Sequence, residues 1–266
     1  AFKTNDPEFR TAALDDEGMN PAALEKVIKE VEKEGKHVKL LYVIPSFQNP
    51  TSTMLPVERR KKILALAKKY DFLILEDNPY GYISFEGPMP TPIKGLDDEG
   101  RVMYTSTFSK IVSPGMRIGW LVAHKEFISK MVEAKSSTSI SNSLIDQYAA
   151  AKLFQQGVVD TQIEKMTKVY RKKRDVMLEA LASSFPKEAK WNHPKGGLFL
   201  WVTLPKKVNA TKLLMEALKR GVAYIPGSNF YVTDTHNHIR LNYSHPSIQD
   251  IVEGVQILGS LLKEQV

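Results

Sequence analysis

The fold is decided by the stretch from residue 38 to residue 80, VKLLYVIPSFQNPTSTMLPVERRKKILALAKKYDFLILEDNPY. It begins with one mainly apolar run (38–44) and ends with a second (72–76), and each run stops at polar residues and a proline. Between them, residues 57–70 repeat apolar positions at helical spacing. Buried strands that alternate with amphipathic helices predict an α/β domain with a mainly parallel sheet.

The same pattern continues along the chain and then changes. Further strands are predicted at 101–106 and 118–123, followed by helices at 126–137, 143–156 and 159–183. A smaller α+β unit comes next, with predicted strands at 196–204, 222–225 and 238–243 and helices at 209–220 and 247–264. The length of 266 residues fits one large or two modest domains. We predict a boundary inside the helix 159–183, which gives a large domain of residues 1–170 and a small domain of residues 171–266.

Composition excludes several classes of protein. The chain has no cysteine, which excludes disulfide scaffolds, thiolate metal sites and cysteine nucleophiles. No apolar run approaches the roughly 18 residues that cross a bilayer, and AFKTNDPEFR (1–10) lacks the apolar core of a signal peptide. The sequence therefore predicts a cytoplasmic protein without a membrane partner.

The net charge of +7 raises the question of a nucleic-acid partner. The basic clusters 59–62, 68–69 and 171–174 each lie inside a helix-like segment with interleaved apolar positions. We therefore predict that these residues lie on solvated helix faces, with no nucleic-acid partner. Histidines at 236, 238 and 245 match no zinc spacing, and no metal site is predicted.

Polar side chains follow the predicted strands where each strand ends. Asn49 follows the first strand, Asp77 and Tyr80 follow the second, and Lys110 and Arg117 follow the third. Ligands in open α/β sheets bind beyond the carboxyl ends of the strands. We therefore expect these side chains to converge on one edge and form a site there. Singly, each of them also has a plain interpretation as a turn, a cap or a solvated side chain.

The combination resembles the pyridoxal-phosphate-dependent aminotransferases of class I/II, which have fold type I. The matching stretches follow the family's order: SFQNPT (46–51), EDNPY (76–80), TFSKIVSPGMRIGW (107–120), GGLFLWV (196–202), PGSNF (226–230) and HIRLNYS (238–244). The resemblance covers essentially the whole chain and is nearest to the 2-aminoadipate, kynurenine and aromatic amino-acid aminotransferases. It implies a large domain with a mainly parallel sheet, a smaller α+β domain and pyridoxal 5'-phosphate as cofactor.

The resemblance also implies catalytic roles. Lys110 is the Schiff-base lysine, and its freed amine carries a proton between the substrate and the cofactor. Asp77 is the carboxylate that keeps the ring nitrogen protonated, which makes the ring a better electron sink. Asn49 and Tyr80 match the positions that hydrogen-bond the phenolic oxygen.

Anion-binding roles follow in the same way. Thr107, Ser109 and Arg117 match the family's phosphate-binding set, and hydroxyls and a guanidinium suit a phosphate. Arg240 corresponds to the arginine that binds the α-carboxylate of the substrate, beside Asn49. The plain interpretation of Arg240 is an exposed strand arginine.

The chain departs from the family at its front. Family members carry an earlier segment with a glycine-containing phosphate turn, an aromatic residue that stacks on the cofactor, and a tyrosine that reaches the partner subunit. Residues 1–40 match none of these, so the chain resembles the C-terminal two-thirds of such an enzyme. Such a chain is a separate gene product, a processed fragment or one piece of a nicked protein, and these alternatives stay open. The expected partners are a second copy in a homodimer and an N-terminal segment present as a separate piece. The isolated chain is then expected to be incomplete and inactive.

The leading functional prediction is an amino-acid aminotransferase that passes the amino group to a 2-oxo acid such as 2-oxoglutarate. The donor is expected to be aromatic, aliphatic or 2-aminoadipate-like. Between Arg117 and Arg171 there is no arginine, which argues against an aspartate-specific enzyme. Two alternatives stay open: the effector domain of a transcriptional regulator, and a pyridoxal-phosphate lyase of the same fold, which sequence cannot separate from a transaminase.

Overall fold

The structure, a computed structural model, describes residues 6–139, 141–232 and 235–265. The first five residues of the predicted large domain and Val266 of the small one lie outside the described residues. The helices are α1 (Pro21–Lys33), α2 (Val57–Lys69), α3 (Lys125–Thr138), α4 (Leu144–Gln155), α5 (Val158–Ser184), α6 (Ala210–Lys219) and α7 (Ile248–Lys263). Helices α2 to α7 each begin and end within one residue of their predicted bounds.

The strands form three sheets. They are β1 (Leu14–Asp15), β2 (Gly18–Met19), β3 (Leu40–Val43), β4 (Leu73–Asp77), β5 (Val102–Thr107), β6 (Gly119–Val122), β7 (Lys190–Trp191), β8 (Phe199–Thr203), β9 (Ile225–Pro226) and β10 (His238–Asn242). β1 and β2 form a small hairpin, while the other two sheets have the orders β3-β4-β5-β6 and β7-β8-β10-β9.

The first four-stranded sheet is mainly parallel, as predicted. β3, β4 and β5 run parallel, with Tyr42 opposite Leu75 and Asp77 opposite Thr105. β6 runs antiparallel to β5, because only short 3-10 turns lie between the two strands and a parallel neighbour needs a crossover of a dozen or more residues. The carboxyl ends of β3, β4 and β5 therefore lie at one edge of the sheet.

Helices α1 and α2 cover one face of this sheet. Ile28 of α1 and Ile63 of α2 are buried in a core with Ile74 of β4 and Val102 of β5. The opposite face is less well covered, since Leu40 and Tyr42 of β3 are 37% and 44% exposed. That uneven covering differs from ordinary parallel sheets, in which both faces are buried.

The second four-stranded sheet is antiparallel and packs on α5 and α7. Leu200 of β8 and Ile239 of β10 are fully buried there, in a core with Leu181 of α5 and Leu262 of α7. Phe47, Tyr80 and Ile83 from the first half of the chain belong to the same core. The α/β fold with a second, smaller sheet is thus confirmed, while the domain boundary inside α5 stays a prediction.

The strand predicted at 222–225 is wrong in its extent. Only Ile225 and Pro226 pair with β10. The backbone N–H of Val222 instead donates to the carbonyl of Ala217 at the end of α6, which keeps this segment turned back on the helix. Sequence alone did not reveal that capping contact.

Two of the basic clusters each contain one arginine that is buried and not solvated as predicted. Arg60 of α2 is fully buried, and so is Glu76 of β4, whose Oε1 lies 3.9 Å from Arg60 Nη1. Burial lowers the pKa of Arg60, and the Glu76 charge acts against that effect. The Arg60 guanidinium donates to the hydroxyl of Ser46 (2.9 Å) and to the carbonyls of Leu55 (2.8 Å), Pro45 (3.1 Å) and Thr91 (3.2 Å). Arg174 of α5 is likewise buried, against the same prediction.

We predict that Arg60→Met lowers the free energy of unfolding by about 3–5 kcal/mol, because it leaves the Glu76 carboxylate buried without its cation. Urea unfolding followed by circular dichroism measures this change. The matched control is Lys61→Met, which removes an exposed ammonium paired only with Glu58 and should change stability by less than about 0.5 kcal/mol. Equal losses in the two variants would contradict the structural role of Arg60.

Candidate active site

The loop between β3 and α2 shapes the edge of the first sheet. Its two sides pair, since Gln48 N donates to the carbonyl of Thr53 (3.0 Å) and Leu55 N to that of Pro45 (2.8 Å). Phe47 has a φ of 53°, a left-handed value that is uncommon for a phenylalanine. The paired loop carries Asn49 at its tip, where the sequence predicts a site residue.

This loop is attached to the second sheet. The hydroxyl of Ser52 donates to the carbonyl of Phe199 in β8 (2.7 Å), and the side-chain amide of Asn192 donates to the carbonyl of Thr51. The ring of Phe47 is fully buried and lies directly against Gly196, at a place where a Cβ atom on that glycine would overlap it. The loop is therefore held between the two sheets.

Asn49 and Arg240 meet across this junction. Arg240 Nη1 donates to Asn49 Oδ1 at 2.7 Å, which joins the first sheet's loop to β10. The guanidinium carbon of Arg240 lies 4.1 Å from the ring centre of Phe199 and 5.2 Å from that of Phe230. Burial lowers the pKa of Arg240. No carboxylate of the described residues lies within 4.0 Å of this guanidinium, and its buried Nε has no hydrogen-bond partner.

Asp77 lies at the end of β4, half-buried at the same edge of the sheet. Its Oδ2 accepts a hydrogen bond from the hydroxyl of Tyr42 at 2.7 Å. Burial raises the pKa of Asp77, while the hydrogen bond from Tyr42 acts in the opposite direction. Tyr80 is buried nearby, with its ring edge-on to Phe199 at 5.6 Å. Burial raises the pKa of Tyr80, and the charges of Arg240 and Asp77 act on it in opposite directions.

The segment after β5 presents hydroxyls and cationic groups. Thr107 Oγ1 lies 3.0 Å from Ser109 Oγ and accepts from the backbone N–H of Ser109, which caps the short helical turn. Lys110 is half-buried, and its amine makes no hydrogen bond or ion pair with the part of the chain that the structure describes. Arg117 is exposed, has a left-handed φ of 54°, and donates to the carbonyl of Pro114 at 3.3 Å.

The structure thus brings some predicted residues into contact and leaves others apart. Asn49 contacts Arg240, and Thr107 contacts Ser109. Lys110 and Arg117 share a segment with Thr107, and their side chains make no hydrogen bond or ion pair with the other predicted residues in the described chain. The role of each predicted site residue stays a prediction.

Comparison with known proteins decides the family. The family model for aminotransferase class I and II matches residues 1–258. The chain belongs to this family. The resemblance seen in the sequence and its implied fold class are therefore confirmed.

Several members of the family are similar to this chain over its whole length. An aromatic-amino-acid aminotransferase of Thermococcus litoralis is 45% identical over 100% of this chain and 64% of its own length. A 2-aminoadipate transaminase of Thermus thermophilus is 36% identical over 99% of this chain and 66% of its own. A crystal structure of Pyrococcus horikoshii kynurenine aminotransferase superposes with a TM-score of 0.96 at 42% identity, over 100% of this chain and 66% of that one. The chain spans about two thirds of the length of these family members.

Sequence reasoning missed three residues that surround the predicted site. Tyr42 bonds Asp77, and Phe199 and Phe230 enclose the guanidinium of Arg240. Each lies in an apolar or family-matching stretch, where an aromatic residue is most simply a core residue. A usable signal existed for Tyr42 alone, since it places a hydroxyl inside an otherwise mainly apolar strand.

The remaining aromatic and histidine residues extend the wall around Arg240. His238 stacks on Trp201 with ring centres 5.4 Å apart and an angle of 11°, and Trp201 lies edge-on to Phe230 at 5.8 Å. Burial lowers the pKa of His238.

Within the described residues, no group of three acidic, histidine or cysteine side chains could hold a metal ion. None of the helices in the same residues has the length and apolarity needed to span a membrane.

We predict that Gly196→Ala lowers the free energy of unfolding by about 3 kcal/mol, because the new methyl group would overlap the Phe47 ring and the carbonyl of Ile83. Urea unfolding measures the loss. Gly254→Ala in α7 is the matched control, because its Cβ would lie 3.9 Å from Val222. That variant should be neutral or stabilising by up to about 1 kcal/mol, since alanine is the better helix former. An equally stable Gly196→Ala protein would show that the close approach of Phe47 to Gly196 is not required.

Proposed function

We propose that this chain carries the cofactor- and substrate-binding residues of a pyridoxal-phosphate-dependent amino-acid aminotransferase. The enzyme moves an amino group from an aromatic, aliphatic or 2-aminoadipate-like amino acid to a 2-oxo acid such as 2-oxoglutarate. Family membership and the names of the similar proteins support this proposal. The observation that carries it is the half-buried Arg240 of β10, which has no carboxylate partner in the described chain and donates to Asn49 on the loop that follows β3.

Arg240 suits a ligand with a carboxylate. Its planar guanidinium is held by the rings of Phe199 and Phe230 and by Asn49, so that little orientational freedom is left to lose on binding. A guanidinium forms two parallel hydrogen bonds with a carboxylate, which a lysine cannot reproduce. The amino acid and the 2-oxo acid of a transamination both carry an α-carboxylate. One arginine therefore serves both halves of the reaction.

The other polar groups fit the remaining parts of the cofactor. Asp77 offers a carboxylate for the ring nitrogen, and Asn49 and Tyr80 offer polar groups for the phenolic oxygen. The hydroxyls of Thr107 and Ser109 suit a phosphate, and the exposed Arg117 adds a positive charge for it.

Lys110 is the group that we propose to act in the chemistry. Pyridoxal phosphate, when bound, supplies an electron sink for the electrons released at the substrate α-carbon. Lys110 follows Ser109 directly, and its amine is not engaged by other groups of the described chain. It can therefore attach the cofactor, and after it is displaced it can take a proton from the substrate and return it.

We predict that Lys110→Ala loses the visible absorption band of the bound cofactor and all transamination, because the attaching amine is gone. The absorption spectrum after incubation with pyridoxal phosphate and gel filtration measures this. Lys125→Ala is the control, since Lys125 begins α3 at an exposed position. Its spectrum should match that of the unsubstituted chain. An unchanged band in Lys110→Ala would assign the cofactor lysine elsewhere.

A panel of amino donors with 2-oxoglutarate tests the reaction itself. Formation of glutamate and of the matching 2-oxo acid supports the aminotransferase. Bound cofactor without turnover, when the chain is assayed together with the N-terminal segment, would favour the effector domain of a regulator. Release of carbon dioxide or of the side chain, in place of glutamate, would indicate a lyase.

We also propose that an additional protein segment covers exposed apolar side chains of the large domain. Leu40 and Tyr42 of the first sheet are exposed on the face opposite α1 and α2. In α4, Ile145 and Tyr148 are 83% and 76% exposed, which is unusual for large apolar side chains in a helix. About one third of the length of each of these similar proteins lies outside the match to this chain, and we infer that an equivalent segment covers these side chains. A homodimer and a cytoplasmic location stay predictions.

We predict that the isolated chain binds an apolar fluorescent dye and self-associates as its concentration rises, because these apolar side chains meet water. The double variant Ile145→Asp with Tyr148→Asp should reduce both effects and keep the fold. Dye fluorescence and analytical ultracentrifugation measure them. Val232→Asp alters another exposed apolar residue, 71% exposed, and should change neither. A monomeric chain without dye binding would contradict the proposed covering segment.

A further inference from the structure

Tyr42 and Asp77 lie on the same face of the first sheet. The register places Tyr42 of β3 opposite Leu75 of β4, and Asp77 follows Leu75 by two residues. Side chains two residues apart in a strand point to the same side. The Tyr42 hydroxyl therefore reaches Asp77 Oδ2 at 2.7 Å across the two strands.

The two oxygens of Asp77 are in different situations. Oδ2 accepts the hydrogen bond from Tyr42, whereas Oδ1 accepts none from the residues that the structure describes. No lysine, arginine or histidine of those residues lies within 4.0 Å of the carboxylate. One oxygen is thus held in place, and the other oxygen and the negative charge are available to a ligand.

The chemistry of the donor matters here. Burial raises the pKa of Asp77, and the hydrogen bond from Tyr42 opposes this by favouring the charged carboxylate. The phenol of Tyr42 favours the charged carboxylate without carrying a charge itself. A lysine or arginine in its place would neutralise the carboxylate and compete with a cationic ligand for it.

We propose that Tyr42 is a positioning residue for the cofactor: it fixes the Asp77 carboxylate so that the open oxygen meets the protonated ring nitrogen. The inference rests on the proposed function. Tyr42 lies outside the sequence stretches that match the family. Its role is assigned from the hydrogen bond that its hydroxyl donates to Asp77.

The test is Tyr42→Phe, which keeps the ring and removes only the hydroxyl. The dissociation constant of pyridoxal phosphate, measured by fluorescence quenching, should rise about tenfold, as expected for a lost hydrogen bond to a charged group. The visible absorption maximum of the bound cofactor should also shift, because the ring nitrogen is less well paired. A purely structural role of Tyr42 would leave that maximum in place.

Tyr104→Phe is the matched control. Tyr104 belongs to β5 of the same sheet, and its hydroxyl accepts from the side-chain amide of Asn78 at 3.1 Å. Its register opposite Glu76 places it on the other face. Removal of the Tyr104 hydroxyl should change the unfolding midpoint by about as much as Tyr42→Phe does. It should leave the affinity for pyridoxal phosphate and the absorption maximum of the bound cofactor unchanged.

A second comparison uses Asp77→Asn. In that background Tyr42→Phe should have less than about a twofold further effect on cofactor affinity, since the two residues act as one unit. Full additivity, or a Tyr42→Phe protein with the affinity and spectrum of the unsubstituted chain, would overturn the role of Tyr42 while leaving the proposed function intact. Failure of the unsubstituted chain to bind the cofactor, even when it is supplied with the N-terminal segment, would overturn the proposed function, and this inference with it.

Discussion

The buried guanidinium of Arg60 is the contact on which the site edge depends. It joins the loop after β3, through Pro45, Ser46 and Leu55, to the buried carboxylate of Glu76 in β4. Glu76 also accepts from the backbone N–H groups of Ile93 and Lys94. A buried charge is tolerated only where it is paired and hydrogen-bonded. Because Asp77 follows Glu76 directly and Asn49 lies on the joined loop, the same contact fixes the backbone of both site residues.

A second constraint links the two sheets. Asn49 comes from the first sheet's loop and Arg240 from the second sheet, so their hydrogen bond forms only when both sheets are correctly placed. Two features set that placement: the absence of a side chain at Gly196, which admits the Phe47 ring, and the hydrogen bond from Ser52 to Phe199. The proposed carboxylate site is therefore a property of the junction, and neither sheet holds it alone.

Much of this arrangement could be predicted from the sequence, and the limits have physical causes. Apolar runs and helical spacing depend on local burial, which is why the helices and the parallel strands were found. Arg60 precedes the buried Ile63 and Ala67 by three and seven residues, so helical spacing places it on the buried face of α2. It was misplaced because a charged side chain in a basic run was expected to be solvated. Tyr42 and Phe230 were missed because their contacts are with residues of other elements. Those contacts depend on strand register and sheet packing, which no local pattern records.

The pairing of charges separates the structural residues from the proposed site residues. Arg60 and Glu76 are fully buried and lie opposite one another, so each charge is compensated within the protein. Asp77 and Arg240 are half-buried, and the partners observed for them are neutral: a phenol for the carboxylate, and an amide with two aromatic rings for the guanidinium. A partly desolvated charge without a counter-ion is unfavourable for folding. This loss of stability at Asp77 and Arg240 is explained if a ligand brings the missing charges. A cationic ring nitrogen would pair with Asp77, and a carboxylate would pair with Arg240. The neutral partners hold each group in place without neutralising it, and that distinguishes these two charges from the pair in the core.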